Sequence, residues 1–228
     1  MIGSFIRNGL SLQECADESL IQIFAGSDTT STTIRVLMLN IISKYPVQKK
    51  LLEECNSVGL PLTEIISNNR AKELPYLQAC IKESLRVFPS GAGLVLKDAP
   101  PKGDTLPDGT FIPGGTAIGQ CTWGILRNKA VYGEDAKLFR PERWFEAKGE
   151  QLARMEKTHL MAFGHGLYKC LGENIARLEL NKVVFELVRR FEFTLENPNK
   201  PFEREFSYGL FLQTGMWVRV VERDVKVS

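Results

Sequence analysis

The chain has 228 residues, 43% hydrophobic and 25% charged, a globular composition long enough for one large domain or two small ones. Its 29 basic and 27 acidic residues leave a formal charge of +2, which gives no electrostatic footprint for nucleic acid. Two histidines are too few for a histidine-rich metal site. The five cysteines form no C-x-x-C pair, which argues against zinc and against a disulfide framework and for a reducing compartment.

No run of eighteen apolar residues is present, so no membrane span is expected within the sequence. Residues 1–10 contain Arg7 and Asn8 and lack a signal-peptide core. Ser11 with Glu14 three residues on reads as a capping box, opening a helix that continues to about Lys44. Its apolar residues fall on several sides, as in a helix through the middle of a large domain. Gly26, Ser27, Asp28, Thr29 and Thr30 are poor helix formers, and a local distortion is expected there.

Pro46 suits the first turn of a second helix running to about Asn56, and a short third helix is expected near Thr63. Pro75 opens a further helix, with Leu77, Cys80, Ile81 and Leu85 at helical spacing; Pro89 stops it after Val87. From Ser90 to about Gly119, glycines alternate with short apolar pieces, and Pro107–Thr110 signals a turn: short strands of a small sheet. Residues 122–128 read as a short helix, and Lys129–Lys157 as irregular. A long helix is expected from Cys170 to about Arg190, and a strand over Met216–Val220.

The most informative stretch is Phe163-Gly164-His165-Gly166-Leu167-Tyr168-Lys169-Cys170-Leu171-Gly172. A cysteine after a glycine-rich loop, at the start of an apolar helix, sits where the helix dipole favours thiolate. A thiolate is a good ligand for a soft or borderline metal, and the glycines allow a flat cofactor to approach the backbone. Cys170 is therefore a candidate axial ligand to haem iron; the alternative is a buried cysteine ahead of a helix. A nucleotide-binding reading of Gly164 and Gly166 fails, because no lysine-serine or lysine-threonine pair follows and no clear strand precedes.

Three further motifs precede that loop. Asp28 beside Thr29 in an apolar helix can relay protons into a dry site; the alternative is a kink with self-satisfied hydroxyls. Glu83 and Arg86 share a helix face, which alone indicates only a surface ion pair. Arg143, in Phe139-Arg140-Pro141-Glu142-Arg143-Trp144, could join them in a buried bidentate network, or could be a solvated loop arginine.

In this order the four motifs resemble the cytochrome P-450 superfamily of haem-thiolate monooxygenases, and Ser11 to Trp217 resembles its C-terminal half throughout. Leu74–Cys80, Arg140–Trp144 and Leu180–Val183 are similar to the fungal pisatin demethylase-like branch. The resemblance implies a mainly α fold with a small β-sheet region, residues 1–228 being the C-terminal portion of one domain. It implies Cys170 as the proximal thiolate on the iron of heme b, with Phe163 packing against the loop and Gly164, Gly166 and Gly172 shaping it. Thr29 would hydrogen-bond iron-bound oxygen, Asp28 would help deliver protons, and Ala25 and Gly26 would open the helix over the distal face. Glu83, Arg86 and Arg143 would form a structural triad. Substrate contacts would lie near Phe24 and Ala25, in Ser90 to Val95 with Leu94, and around Leu210 to Leu212 with Phe211.

The implied reaction inserts one oxygen atom from O2 into an apolar small molecule, with electrons from NADPH through a partner flavoprotein reductase. A full-length parent would sit at the endoplasmic reticulum membrane, facing the cytosol. The sequence departs from the family in three ways. Tyr168 stands where a propionate-binding arginine is usual, with Leu167 before it and Lys169 as the nearest base. Lys97 replaces a second arginine, a point charge in place of a fork, and is expected to contact haem. The family's N-terminal half is not represented, which would leave apolar surface on residues 20–42 without a partner. A truncated, inactive fragment that holds no haem, or a non-catalytic partner of a full-length relative, is the alternative function.

Overall fold

The computed structural model describes residues 2–207 and 209–223, with the side chains of Val95, Ser207 and Leu212 outside the description. The chain is mainly α-helical, with four two-stranded antiparallel ladders among the described residues. Its helices are α1 (Ile2–Arg7), α2 (Leu12–Ile42), α3 (Tyr45–Ser57), α4 (Asn68–Lys72) and α5 (Pro75–Val87), then α6 (Thr122–Ile125), α7 (Lys129–Tyr132), α8 (Arg143–Glu146), α9 (Gly149–His159) and α10 (Glu173–Arg190). The strands are β1 (Leu94–Asp98), β2 (Asp104–Thr105), β3 (Phe111–Ile112) and β4 (Ala117–Cys121), then β5 (Phe191–Leu195), β6 (Glu203–Ser207), β7 (Leu210–Thr214) and β8 (Val218–Glu222). They pair as β1–β4, β2–β3, β5–β8 and β6–β7.

The capping box forms as the sequence indicates. Ser11 Oγ accepts from the Glu14 amide, and the Glu14 carboxylate accepts from the Ser11 amide. The helix it opens runs 31 residues without a break. The distortion expected at 25–30 is absent; the Thr29 hydroxyl is satisfied inside the helix, Oγ1 donating to Ala25 O at 2.6 Å, as is that of Thr33 one turn on, donating to Thr29 O at 2.9 Å. The short helix expected near Thr63 starts instead at Asn68, where Ser67 caps the amide of Arg70. Lys129–Lys157, read as irregular, carries α7, α8 and most of α9. The polar α9 buries only Met155 and His159, too narrow a stripe for hydrophobic spacing to reveal.

The C-terminal part of α2 packs with α3, α5 and α10 around Leu37, Ile41, Leu51, Leu77, Ile81 and Phe185. The N-terminal part of α2 has no such cover. Leu20, Ile21, Ile23 and Phe24 are exposed, so the uncovered apolar surface lies before Ala25 and the segment from Val36 to Ile41 is core. Four proline and polar signals at helix starts (Ser11, Pro46, Ser67, Pro75) thus set the frame that brings the middle of α2 beside the cysteine loop.

Candidate functional site: a cysteine-bearing cleft

Helix α10 begins at Glu173 with Gly172 as its N-cap, so Cys170 precedes the helix by a short step instead of opening it. The loop is held from within. The Cys170 amide donates to Phe163 O at 2.7 Å, bringing the two ends of the glycine segment together. Gly164 has φ +75, and a Cβ there would stand 3.3 Å from Tyr168 O; Gly166 has φ +66. Gly172 has an ordinary φ of −84. Phe163 packs partly against the main core while the Arg177 guanidinium lies 4.9 Å over its ring.

Between this loop and α2 lies a largely apolar cleft of about 280 Å³. Ala25, Thr29, Thr30 and Thr33 line it from α2, and Phe163, Gly164, His165, Tyr168 and Cys170 from the loop. Pro89, Ser90 and Gly91 close one end, and Lys97 and Gln120 stand on the β1–β4 ladder. The exposed thiol of Cys170 and the Thr29 hydroxyl thus share one space. Among the described residues no group of three or more His, Cys, Asp or Glu is placed to hold a metal ion.

Of the residues singled out from the sequence, Ala25, Thr29, Lys97, Phe163, Gly164 and Cys170 line the cleft. Asp28, Gly166 and Gly172 do not. Asp28 is exposed, about 100° around α2 from Thr29. Phe24 and Leu94 are exposed and also lie outside the lining, and Phe211 packs against Phe88 and Trp123, 4.8 and 4.9 Å away. The side chains of Val95 and Leu212 lie outside the described residues. His165, Tyr168, Thr33 and Gln120 line the cleft without having been named as site residues; Tyr168 and His165 fall inside the ten-residue loop, which was the available signal.

Lys97 and Tyr168 meet at the cleft, the ammonium 5.0 Å over the phenol ring. Lys169, the base beside the cysteine, is engaged elsewhere: its ammonium pairs with Glu173 at 2.8 Å. Burial raises the Glu173 carboxyl, but hydrogen bonds from Lys169 and Arg177 outweigh it and hold that group below its ordinary range.

Outside the cleft lining lies a buried ionic knot. Glu83 Oε1 accepts from Arg86 at 2.8 Å, Arg143 Nε at 2.7 Å and the Arg140 amide at 2.9 Å; Oε2 accepts from Arg86 Nε at 2.9 Å and the Trp144 indole at 3.0 Å. Arg86 also donates to the carbonyls of Leu126, Ala136 and Leu138, and Arg143 to those of Tyr132, Asp135 and Leu138. Two guanidinium forks therefore tie α5 to the segment 126–143, whose turns would otherwise leave carbonyls unpaired. His159 closes the knot: its Nε2–H donates to Lys82 O at 3.0 Å, and its ring meets Trp144 edge-on at 5.4 Å.

One thiol in an apolar cleft, a loop whose Gly164 and Gly166 hold positive φ with little room for a Cβ at Gly164, and a cation at the rim suit a flat, anionic, thiolate-ligated cofactor. The sequence comparisons place that chemistry in a family. The Cytochrome P450 family model matches residues 4–215, and the chain belongs to the cytochrome P450 family.

Among its relatives, cytochrome P450 monooxygenase ABA1 of Pyricularia oryzae is 42% identical over 226 residues. The aba1 enzyme of Botryotinia fuckeliana is 41% identical over 230 residues. Each match covers 98% of this chain and 44% of the relative. Cytochrome P450 monooxygenase abl1 of Leptosphaeria maculans is 40% identical, over 92% of this chain and 38% of its own length. The chain thus spans less than half the length of these relatives. Among the described residues no helix is long and apolar enough to cross a membrane.

Proposed function

We propose that this chain is the haem-bearing, C-terminal portion of a monooxygenase that inserts one oxygen atom from O2 into an apolar small molecule. The observation that carries the reading is the shared cleft, with Cys170 and Thr29 both in its lining. Heme b, ligated by the Cys170 thiolate, would supply O2 activation, using electrons from NADPH through a flavoprotein reductase. A full-length parent would work at the cytosolic face of the endoplasmic reticulum membrane.

The chain's own groups divide the remaining work. Gly164 and Gly166 keep the loop low so that a ring can lie against it, and Phe163 O fixes the Cys170 backbone. Lys97, with Tyr168 beneath its ammonium, supplies positive charge for a carboxylate at the cofactor's rim. Thr29 now donates to Ala25 O; with one hydroxyl proton, it must release that carbonyl to donate into the cleft, and otherwise it serves as an acceptor there. Asp28 reaches the cleft only through water, since it projects from a neighbouring face of α2. Glu83, Arg86 and Arg143 act as a scaffold, since none of them lines the cleft.

The test is optical. The purified chain is loaded with haem, reduced and exposed to carbon monoxide. A strongly red-shifted Soret band, lost in Cys170→Ala, is the expected result. A band typical of histidine or thiol ligation, or none, would reject the proposal. The second reading, a fragment that holds no haem or a partner of a full-length relative, draws on the exposed Leu20, Ile21, Ile23 and Phe24 beside the cleft. Failure of haem to bind at all favours it.

A further inference from the structure

Glu173 is the first residue of α10, directly after its N-cap Gly172, which offers no side chain to that end of the helix. The Cys170 sulfur lies at the same turn: a Cβ on Gly172 would stand 3.9 Å from it. The sulfur is therefore at the positive end of the helix dipole. Two side-chain cations bracket it in sequence, Lys169 immediately before and Arg177 seven residues on. Unlike Lys97, neither lines the cleft.

One carboxylate takes both cations. Arg177 Nε donates to Glu173 Oε1 at 2.9 Å, and the Lys169 ammonium donates to Oε2 at 2.8 Å. The Glu173 side chain is 13% exposed, drier than that of Arg177 at 28% or Lys169 at 51%. Arg177 is held a second time, 4.9 Å over the Phe163 ring, at the other end of the cysteine loop. Lys169 depends on Glu173 more heavily, because its ammonium sits on a long, flexible stem. With that carboxylate gone, a lysine next to Cys170 in the chain is free to turn towards the sulfur.

We propose that Glu173 is a positioning residue for Cys170: by holding Lys169 and Arg177 it keeps both cations off the sulfur, whose electron density stays available to a metal. Groups outside the ligand shell tune what a ligand gives its metal, and a sulfur that accepts a charge-assisted hydrogen bond has less density to donate. The role towards a metal rests on Cys170 being the iron ligand. The clamp itself does not, since it is a coupling between charges on this chain.

The coupling is read first without haem, in the complete 228-residue chain carrying Cys121→Ser. An anionic and a neutral aromatic disulfide each react with Cys170, and the ratio of their rates reports the charge felt at the sulfur whatever the thiolate fraction. With Glu173 in place, Lys169→Gln should lower the anionic-to-neutral ratio by less than about twofold. Glu173→Gln should raise it about fivefold at low salt, and adding Lys169→Gln should remove more than half of that rise. Equal effects of Lys169→Gln in the two backgrounds would overturn the clamp. So would an unchanged ratio in Glu173→Gln, because a residue that only braces the loop alters both rates alike. The second arm uses the haem-loaded chain. Glu173→Gln should favour the ferrous form about fivefold at low salt, with Lys169→Gln acting chiefly in that background. A loaded chain whose midpoint ignores Glu173→Gln would overturn the role towards the metal. A parent that takes up no haem sinks the iron-ligand reading, as the carbon monoxide test shows separately, and the reagent ratios still decide the clamp.

Discussion

Glu83 and Arg86, one helical turn apart on α5, face each other through two hydrogen bonds of 2.9 and 2.8 Å with both side chains wholly out of solvent. Removing the acid alone would strand the buried guanidinium of Arg86 and leave Arg143 with the Asp135 carboxylate, 3.0 Å away. Breaking such a pair from one side costs about 3–5 kcal/mol, a large share of a typical domain's stability. Glu83→Gln should therefore lower the urea midpoint steeply or prevent folding. Arg86→Lys should be nearly as severe, since one ammonium cannot span Glu83 and the carbonyls of Leu126, Ala136 and Leu138. A midpoint within error of the parent for either variant would show that the knot is not structural.

Why this pair was weak in the sequence is a matter of distance. Spacing of three on a helix is the same for a solvated pair and a buried one. What buries Glu83 is Arg143, 60 residues on, with the Trp144 indole and the Arg140 amide, and no local pattern announces those contacts. Helix starts were legible because Ser11, Pro46 and Pro75 act on their own first turns. The polar run at 25–30 misled for the opposite reason: its Thr29 hydroxyl bonds back four residues, and the helix runs on unbroken. The cysteine loop was readable as a unit, but the neighbours that shape its cleft, such as Gln120 and Thr33, come from β4 and α2.

His159 should give the protein an acid limit of its own. Burial first, then Arg177, hold its imidazole down to about 3 against an ordinary 6.5, while its bond to Lys82 O only partly opposes them. The unfolded chain therefore binds more protons between those values, and stability falls as pH drops through 6.5 towards 3. The loss is up to about 5 kcal/mol if the whole difference is realised. Between pH 6.5 and 5 this histidine acts largely alone. The carboxyls of Glu142, Glu173 and Glu186, also held low, add their losses below their ordinary 4.5. His159→Gln keeps a donor for Lys82 O and should flatten urea midpoints measured from pH 7 to 5. A slope equal to the parent's would mean the imidazole is not kept neutral.

The five cysteines should separate by reactivity. Cys121 and Cys170 are exposed, and Cys15, Cys55 and Cys80 are buried. Burial, reinforced by Glu54, pushes the Cys55 thiol up to about 12, and burial with Glu142 raises Cys80 well above its ordinary value. A disulfide reagent at mildly alkaline pH should find two fast thiols in the native chain and the rest only in denaturant. Cys121→Ser should leave one, and loading that variant with haem should protect it. Fast reaction of a third thiol, or of Cys170 in the loaded protein, would contradict the arrangement.

Lys97 and Tyr168 bear on how the cleft would hold the proposed haem. Lys97 is an exposed point charge, and its reach towards the cleft is guided by the phenol ring 5.0 Å beneath it. An exposed ion pair is worth about 0.2–1 kcal/mol and is screened by salt. Lys97→Ala should therefore weaken haem retention by no more than about fivefold, and the difference should shrink at high ionic strength. Tyr168→Ala should produce a similar loss at low salt, because the ammonium loses its platform and about 0.5–1 kcal/mol of cation–π attraction. Tyr168→Arg should do the reverse and slow haem transfer to an acceptor protein, since a guanidinium fork at that loop position can grip a propionate bidentately. Haem release followed in urea distinguishes these cases, and equal release from the parent and Lys97→Ala at low salt would remove Lys97 from the cofactor's rim.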